Sequence, residues 1–244
     1  MAVQNQSGRG HVEICGEFAG PELAVAGTTA GPVNFFPFIM FGDGVNETDS
    51  GIVHLSGAGN GVRLTTTDED NHYCKVGTTT MFDVALMAPL IIEARVNMQA
   101  LTARRVFVGF SNLGDTTSAV EFEANAGTVT NTASNFVGFL FDSGATLSTS
   151  WLYGYNGGTT AALTTEQDTG KDPVAGEWDT MRVVINNDGA AEFYINGEYI
   201  TKVNGAISTT TDISAYVGVG GTTTTVADCD LNYLYIKASR DWTR

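Results

Sequence analysis

The chain has 244 residues, and its 27 acidic and 12 basic residues give it a formal net charge of −15. A surface this acidic repels the phosphate backbone of nucleic acids, so nucleic-acid binding is not expected. The sequence contains no run of about 18 apolar residues, which predicts that no segment spans a membrane. The first residues lack the basic and apolar segments of a signal peptide, so we expect a protein made and folded in a cytoplasm.

The first fifty residues differ from the rest, because Gly-, Pro- and Thr-rich segments surround one apolar run from Phe35 to Phe41. Pro37 lies in the middle of this run, and proline is excluded from interior strands because it lacks a backbone N–H. We therefore predict an extended N-terminal arm over residues 1–50 and one β-sandwich domain over residues 51–244. Aromatic side chains of the arm are predicted either to seal the domain's own core or to grip a neighbouring chain. The candidates for partner contact, including one at the C terminus, are Phe35, Phe36, Phe38, Phe41 and Trp242.

From residue 51 onward, short segments of alternating apolar and polar residues predict β-strands. In Pro89–Met98, for example, Ile92, Ala94 and Val96 fall on one face of an extended chain. The other predicted strands are Ile52–Leu55, Val62–Thr66, Arg105–Ser111, Ala119–Ala124, Asn135–Phe141, Ser150–Tyr155, the hairpins within residues 181–203, Tyr216–Gly220 and Leu231–Ala238. This spacing predicts an all-β fold, a two-sheet antiparallel β-sandwich of the jelly-roll type.

Two turn signals are especially clear, at Asn187-Asp188-Gly189 and at Asn196-Gly197. Primed hairpin turns need residues that tolerate positive φ, and Asn-Gly is a strong signal for them. The chain between residues 181 and 203 is therefore predicted to be an antiparallel meander.

The same region carries a resemblance to a known family. Glu177–Ile185, followed by Ala191–Gly197 and a closing strand at Asp230–Lys237, resembles the concanavalin A-like lectin/glucanase sandwich in its laminin G-like variety. More narrowly, the chain resembles virion proteins of tailed bacteriophages that use this sandwich. The stretches that carry the narrower resemblance are Leu64–His72, Ile91–Val96, Val106–Phe110 and Phe136–Asp142.

The resemblance implies the two-sheet sandwich and a structural role in a virion. The predicted function is a capsid decoration or cement protein that binds the major capsid protein or another virion protein through its arm and acidic surface. Such a protein would be made in the host cytoplasm, would be a homo-oligomer, and would be found on the virion. The alternative is a carbohydrate-binding, lectin-like module that binds a glycan, either alone or displayed on the virion.

Glucanases of this superfamily carry alternating carboxylates on one strand, and the closest match here is Glu121 with Glu123. The remaining carboxylates of that motif are missing, so no catalytic residue and no enzymatic activity are predicted. We expect both glutamates to lie on a solvent face, opposite Val120 and Phe122.

Oxygen-bearing side chains cluster at Asp68, Glu69, Asp70 and Asn71, and Ca²⁺ prefers such ligands. Laminin G-like relatives often bind Ca²⁺ at loop ends, so this cluster is predicted to be either a Ca²⁺ site or a solvated turn. No other cofactor is expected. The three cysteines, Cys15, Cys74 and Cys229, have no metal-ligand spacing and are predicted to be buried thiols.

Three aromatic residues, Trp151, Tyr153 and Tyr155, alternate along one predicted strand and therefore share a face. Flat aromatic rings on an exposed face could stack on sugar rings. The same pattern is also typical of a strand whose aromatic face lies in the core. Both interpretations remain open from the sequence.

Overall fold

The computed structural model describes residues 2–5, 10–18, 33–35, 37–42, 51–55, 61–69, 72–114 and 120–240. Its strands, in chain order, are β1 (Ala2–Asn5), β2 (His11–Glu17), β3 (Val33–Phe35), β4 (Phe38–Phe41), β5 (Gly51–Leu55), β6 (Gly61–Thr65), β7 (Tyr73–Gly77), β8 (Leu90–Asn97), β9 (Arg104–Ser111), β10 (Phe122–Asn125), β11 (Thr128–Asn131), β12 (Phe136–Asp142), β13 (Leu152–Asn156), β14 (Trp178–Ile185), β15 (Ala191–Ile195), β16 (Glu198–Val203), β17 (Ser214–Gly221) and β18 (Asp228–Ser239). A four-residue helix, α1 (Val84–Met87), precedes β8. No helix in the described ranges is long and apolar enough to cross a membrane.

The strands form two antiparallel sheets that pack face to face, which confirms the predicted all-β sandwich. The nine-stranded sheet has the order β1-β2-β18-β8-β14-β15-β16, with β6 and then β5 attached beside β18. The seven-stranded sheet has the order β13-β12-β9-β17-β7-β4-β3. Strands β10 and β11 pair with each other as a separate two-stranded sheet.

The core between the two sheets follows the alternation read from the sequence. In β14, for example, Met181, Val183 and Ile185 are fully buried while Arg182 is exposed. Each such side chain removes its apolar surface from water, which stabilises the fold by about 1.5–3 kcal/mol per large side chain.

A second apolar layer lies on the outer face of the seven-stranded sheet, where the β10–β11 hairpin covers it. Phe122 of the hairpin stacks on Phe136 of β12 with ring centres 5.1 Å apart, and all eight residues of β17 are buried. Both faces of the seven-stranded sheet are therefore packed, which explains why its central strands show little polar alternation.

Glycines in these strands make room for that layer. A Cβ added to Gly154 would lie 2.5 Å from the ring of Phe122, and one added to Gly138 would lie 2.7 Å from the ring of Phe107. These distances are too short for real contacts, so the glycines leave space that the rings fill. Glycine inside a strand is a known sign of such close approach.

The described parts of the first fifty residues form strands of both sheets. Strand β2 pairs with β18, and β4 pairs with β3 on one side and β7 on the other. The expectation that the run around Pro37 contains no interior strand is therefore wrong. Pro37 lies in the turn before β4, where its missing N–H removes no ladder hydrogen bond.

The predicted hairpin turns are confirmed. Asn196 and Gly197 have φ values of 53° and 80°, as a type I′ turn requires. The cysteines are unpaired thiols, and burial raises the pKa of Cys74 to about 12. Cys229 is buried too, but Cys15 is only half-buried, so the prediction of buried thiols is wrong for that residue.

Candidate functional site

A groove of about 620 Å³ lies at the end of the sandwich where β8 leads into β9, β12 into β13 and β17 into β18. The tip of the β10–β11 hairpin forms a further wall through Ala124 and Asn125. Hydroxyl and amide side chains reach the groove from each of its walls: Thr102, Asn125, Ser143, Ser148, Thr149, Thr222 and Thr223. These groups both donate and accept hydrogen bonds, so the groove suits a ligand rich in hydroxyls.

Arg105 is the charged residue among those that line the groove, and its guanidinium is fixed by two carboxylates. Its Nε donates to Asp142 Oδ2 at 2.8 Å, and its Nη1 donates to Glu123 Oε1 at 3.1 Å. Nη1 also donates to the hydroxyl of Tyr73. Burial raises the pKa of Tyr73 to about 12, so the phenol stays neutral. The positive charge of Arg105 is therefore compensated at the edge of the groove.

The backbone beside the groove is held in an unusual conformation. Ala103, which lines the groove, has a φ of 57°; Ala126 and Gly127, with φ values of 49° and 86°, form the two-residue turn of the β10–β11 hairpin. The left-handed region is costly for alanine, and residues held there are concentrated at functional sites. The groove is therefore the strongest candidate site in the described part of the chain.

One carboxylate ties two walls of the groove together. Glu166 Oε1 accepts from the N–H of Gly127 at 3.0 Å and from the N–H of Thr146 at 2.9 Å. Its Oε2 accepts from the N–H of Leu147 at 2.9 Å. Glu166 thus connects the hairpin tip to the loop between β12 and β13.

Replacing Glu166 with glutamine is expected to loosen these walls. The side-chain NH₂ group of glutamine would face backbone N–H groups, and two donors cannot form a hydrogen bond. The loss of charged acceptors should lower the free energy of unfolding by about 1–3 kcal/mol. Limited proteolysis should then cut residues 143–150 faster than in the original chain, while thermal unfolding shifts by only a few degrees. Glu177→Gln, at an exposed position before β14, is the control. Unchanged cleavage in Glu166→Gln would contradict the role given to this carboxylate.

A buried ion pair lies beneath the hairpin. Lys75 Nζ is 3.6 Å from Glu121 Oε1, and both side chains are 1% exposed. The ammonium also lies 5.0 Å from the ring centre of Tyr216, a cation–π contact. Burial raises the pKa of Glu121, and the positive charge of Lys75 opposes this rise.

The expected solvent position of Glu121 is therefore wrong. The hairpin folds over the seven-stranded sheet, so Glu121 points into the covered layer together with Val120 and Phe122. Glu123 keeps a side chain that is 41% exposed, but it is bound to Arg105.

The aromatic side chains of β13, and Trp151 directly before it, face the core. Trp151 is 1% exposed, packs edge-on against Phe141, and donates its indole N–H to Asp179 Oδ2 at 2.9 Å. Tyr153 is half-buried and contacts Phe193 with ring centres 5.2 Å apart, and Tyr155 is half-buried against the same core. This placement corrects the sugar-stacking alternative for Trp151, because its faces are covered on both sides.

The proposed Ca²⁺ ligands are only partly described. Asp68 and Glu69 are exposed in the loop before β7, whereas Asp70 and Asn71 lie outside the described residues. Within the described ranges, no three His, Cys, Asp or Glu side chains are placed to hold a metal ion. The loop passes close to Gly221, the residue before Thr222 of the groove, since a Cβ on Gly221 would lie 3.1 Å from the carbonyl oxygen of Glu69. The Ca²⁺ site stays a prediction.

The aromatic residues predicted for partner contact are also distributed differently. Phe38 is buried between the sheets beside Phe18, and Phe41 is buried in the second layer against Tyr216. Both therefore pack on their own domain, which was one of the two alternatives. The side chain of Phe35, together with Phe36 and Trp242, lies outside the described residues.

No protein-family model matches the sequence, and no curated protein matches it. Similar solved structures include a protein of unknown function from Shewanella oneidensis MR-1, with a TM-score of 0.57 and 12% identity over 99% of this chain and 92% of that chain. Peanut lectin has a TM-score of 0.54 and 12% identity over 93% of this chain and 97% of its own. The β-glucanase of Bacillus licheniformis has a TM-score of 0.52 and 11% identity over 95% of this chain and 99% of its own. Identities this low show the fold alone, and that fold is the concanavalin A-like sandwich.

Proposed function

We propose that the protein is a carbohydrate-binding module that takes an uncharged glycan in the groove at the loop end of the sandwich. The observation that carries this proposal is the lining of the groove by hydroxyl and amide side chains from four separate segments of the chain. The volume of about 620 Å³ lies within the range of pockets that enclose small organic ligands.

The chemistry of the lining matches that of a sugar. Serine, threonine and asparagine side chains offer donors and acceptors together, and a sugar hydroxyl needs both. Leu101, Ala103, Ala124 and the methyl groups of the threonines make the larger part of the lining apolar, and this part can contact the C–H groups of a sugar ring. The left-handed conformation of Ala103 fits a site whose geometry is kept at some cost in stability.

Charge favours a neutral glycan over an acidic one. The chain carries a net charge of −15, which repels anionic ligands. Arg105 does not offset this, because Asp142 and Glu123 both bind its guanidinium.

Binding without hydrolysis agrees with the arrangement of carboxylates. A glycosidase needs an acid and a second carboxylate that face the scissile bond. Three carboxylates lie beside the groove in the described chain, and all three are engaged: Arg105 binds Glu123 and Asp142, and backbone N–H groups donate to Glu166. Asp142 also accepts from the N–H groups of Ala124 and Gly144 at 3.1 and 2.8 Å.

The names of similar structures agree with a role in carbohydrate recognition, since a lectin and a glucanase share the fold. Display of the module on a bacteriophage virion, bound to the major capsid protein or another virion protein, is a separate proposal. It rests on the sequence resemblance and on the acidic surface, and mass spectrometry of purified particles tests it.

Removing hydrogen-bonding groups from the groove should weaken glycan binding. The variant Asn125→Ala/Thr149→Val loses two such groups, each contributing about 0.5–1.5 kcal/mol, so affinity should fall about tenfold. A glycan array identifies a ligand, and calorimetry then compares the variant with Thr130→Val, a matched change at an exposed position of β11. Failure of the chain to bind any neutral glycan, or equal affinity in all three proteins, would overturn the proposal.

A further inference from the structure

The outer face of the nine-stranded sheet carries charged side chains in a regular arrangement. It is the face opposite the core, and its side chains alternate with the buried ones along each strand. Besides β1, β5 and β6, six adjacent strands contribute to it, in the order β2, β18, β8, β14, β15 and β16.

Side chains on this face form rows that cross all six strands in register. In strand order, the first row is Glu13, Lys237, Ile91, Val184, Glu192 and Lys202. The second row is Cys15, Tyr235, Glu93, Arg182, Tyr194 and Tyr199. Both rows are half-buried or exposed, and Tyr199 is 54% exposed.

In both rows, each charged residue on one side of a line between β8 and β14 has a residue of opposite charge at the same distance on the other side of that line. Reflection across this line exchanges Glu13 with Lys202 and Lys237 with Glu192 in the first row. In the second row it exchanges Glu93 with Arg182. Uncharged positions exchange with uncharged ones, so Ile91 meets Val184 and Tyr235 meets Tyr194. The pattern is antisymmetric over both rows.

Such a pattern is self-complementary under a two-fold axis. When two identical faces pack together about an axis in the plane of contact, each position on one side of the axis meets its mirror position in the other copy. An axis along the line between β8 and β14 therefore places every acidic residue of the two rows opposite a basic residue of the second copy. At the axis, the apolar Ile91 and Val184 meet.

Pairing within one chain accounts for only part of this pattern. Arg182 lies 3.9 Å from Glu93, and Lys202 lies 3.3 Å from Glu192, as expected for neighbouring strands. Glu13 and Lys202, however, lie on strands that are five spacings apart, or about 24 Å. In the described part of the chain, Glu13 is in register with Lys237 and Lys202 pairs with Glu192, but no contact joins Glu13 and Lys202 directly.

Charge and size also favour a second copy as the occupant. The two rows carry three acidic and three basic side chains, so this face is balanced on a chain whose net charge is −15. Two copies can therefore approach here with less repulsion than elsewhere. The whole outer face of the six strands, of which the two rows are one part, has a footprint of roughly 600 Å², somewhat below the roughly 800 Å² per partner of a stable interface. Tyrosine and arginine, which this face contains, are enriched at interfaces.

We propose that the protein forms a two-fold dimer in which this face packs against the same face of a second copy. Glu13 of each copy then lies opposite Lys202 of the other, and Glu93 lies opposite Arg182. The proposal is independent of the glycan groove, which lies at the loop end of the sandwich.

Two charge reversals test the proposal directly. In Glu13→Lys, two lysines face each other at both ends of the interface, and in Lys202→Glu two acidic residues do so. Each variant alone should dimerise at least about tenfold more weakly than the original chain, because like charges oppose each other across the interface. Sedimentation velocity over a range of concentrations measures this, and circular dichroism confirms that both variants fold.

Mixing the two variants supplies the sharpest outcome. A Glu13→Lys copy paired with a Lys202→Glu copy has opposite charges at both ends, so the mixture should dimerise where each variant alone is monomeric. Within each chain, the reversed charge still lies beside Lys237 or Glu192 of the same sign. Rescue can therefore come only from contacts between copies.

The matched controls are Glu177→Lys and Lys171→Glu, both away from the two rows; Lys171 is paired with Glu198 as Lys202 is with Glu192. These controls should dimerise as the original chain does. A monomeric original chain, a dimer that tolerates both reversals, or a mixture that stays monomeric would each overturn the proposal.

Discussion

Replacing Lys75 with methionine is expected to lower the free energy of unfolding by about 3–5 kcal/mol, because it leaves the carboxylate of Glu121 buried without its cation. The two side chains are 1% exposed beneath the β10–β11 hairpin. Methionine keeps most of the volume of lysine, so the loss reports the charge rather than a cavity. Urea unfolding followed by tryptophan fluorescence measures it.

The pH dependence of this loss has a definite sign. Burial raises the pKa of Glu121 above its ordinary value of 4.5. A group whose pKa is raised on folding stabilises the folded state fully below its ordinary pKa, and this contribution is lost as the pH rises through the raised value. Lys75→Met removes the positive charge that opposes the rise, so the pKa of Glu121 should rise further in the variant. The stability lost in the variant should therefore be largest near neutral pH, where the carboxylate must be charged or take up a proton, and should shrink as the pH approaches 4.5.

A second variant separates the ion pair from packing. Lys75→Met/Glu121→Leu removes both charges and leaves no buried polar side chain at either position, so it should recover most of the lost stability, since buried pairs are often replaced by apolar side chains at little cost. Lys171→Met, which breaks an exposed pair, should change the free energy of unfolding by less than about 1 kcal/mol. A Lys75→Met protein as stable at neutral pH as the original would show that the hairpin does not enclose this pair.

Replacing Trp151 with alanine is expected to cost about 3–5 kcal/mol, because a large side chain is removed from a closely packed core. The change also leaves Asp179 Oδ2 without the indole donor that lies 2.9 Å away. Trp178→Ala, at a half-buried tryptophan that stacks on Arg95, should cost clearly less. Chemical unfolding of both variants makes the comparison.

A more conservative variant, Trp151→Phe, decides between the two interpretations of the aromatic strand. If Trp151 belongs to the core, Trp151→Phe should fold, lose part of the stability, and bind a glycan with unchanged affinity. A Trp151→Phe protein of unchanged stability that has lost glycan binding would restore the sugar-stacking interpretation.

Much of the fold could be predicted from local patterns. The strands around Ile92, Val183 and Leu234 follow apolar alternation, since one of their faces meets the core and the other meets solvent. The turn at Asn196-Gly197 follows from tolerance of positive φ. Each of these patterns extends over only a few neighbouring residues, so it can be recognised in a single sequence without knowledge of the fold.

The second apolar layer could not be predicted in the same way. Glu121 and Lys75 are 46 positions apart in the sequence, and their pairing depends on where the hairpin folds. The glycines within β9, β12 and β13 were the available signal, because they mark strands that something approaches closely. The groove is harder still, since its lining comes from four segments that only the fold brings together.

The β10–β11 hairpin forms its own two-stranded sheet and ends at Ala126 and Gly127, beside the groove. Lengthening or shortening it at this tip would change the height of one wall without altering the register of either main sheet. Related chains could thus diversify their ligand preference by insertions and deletions at one point, while the scaffold stays the same. In engineering terms, the tip is the natural position for a randomised library.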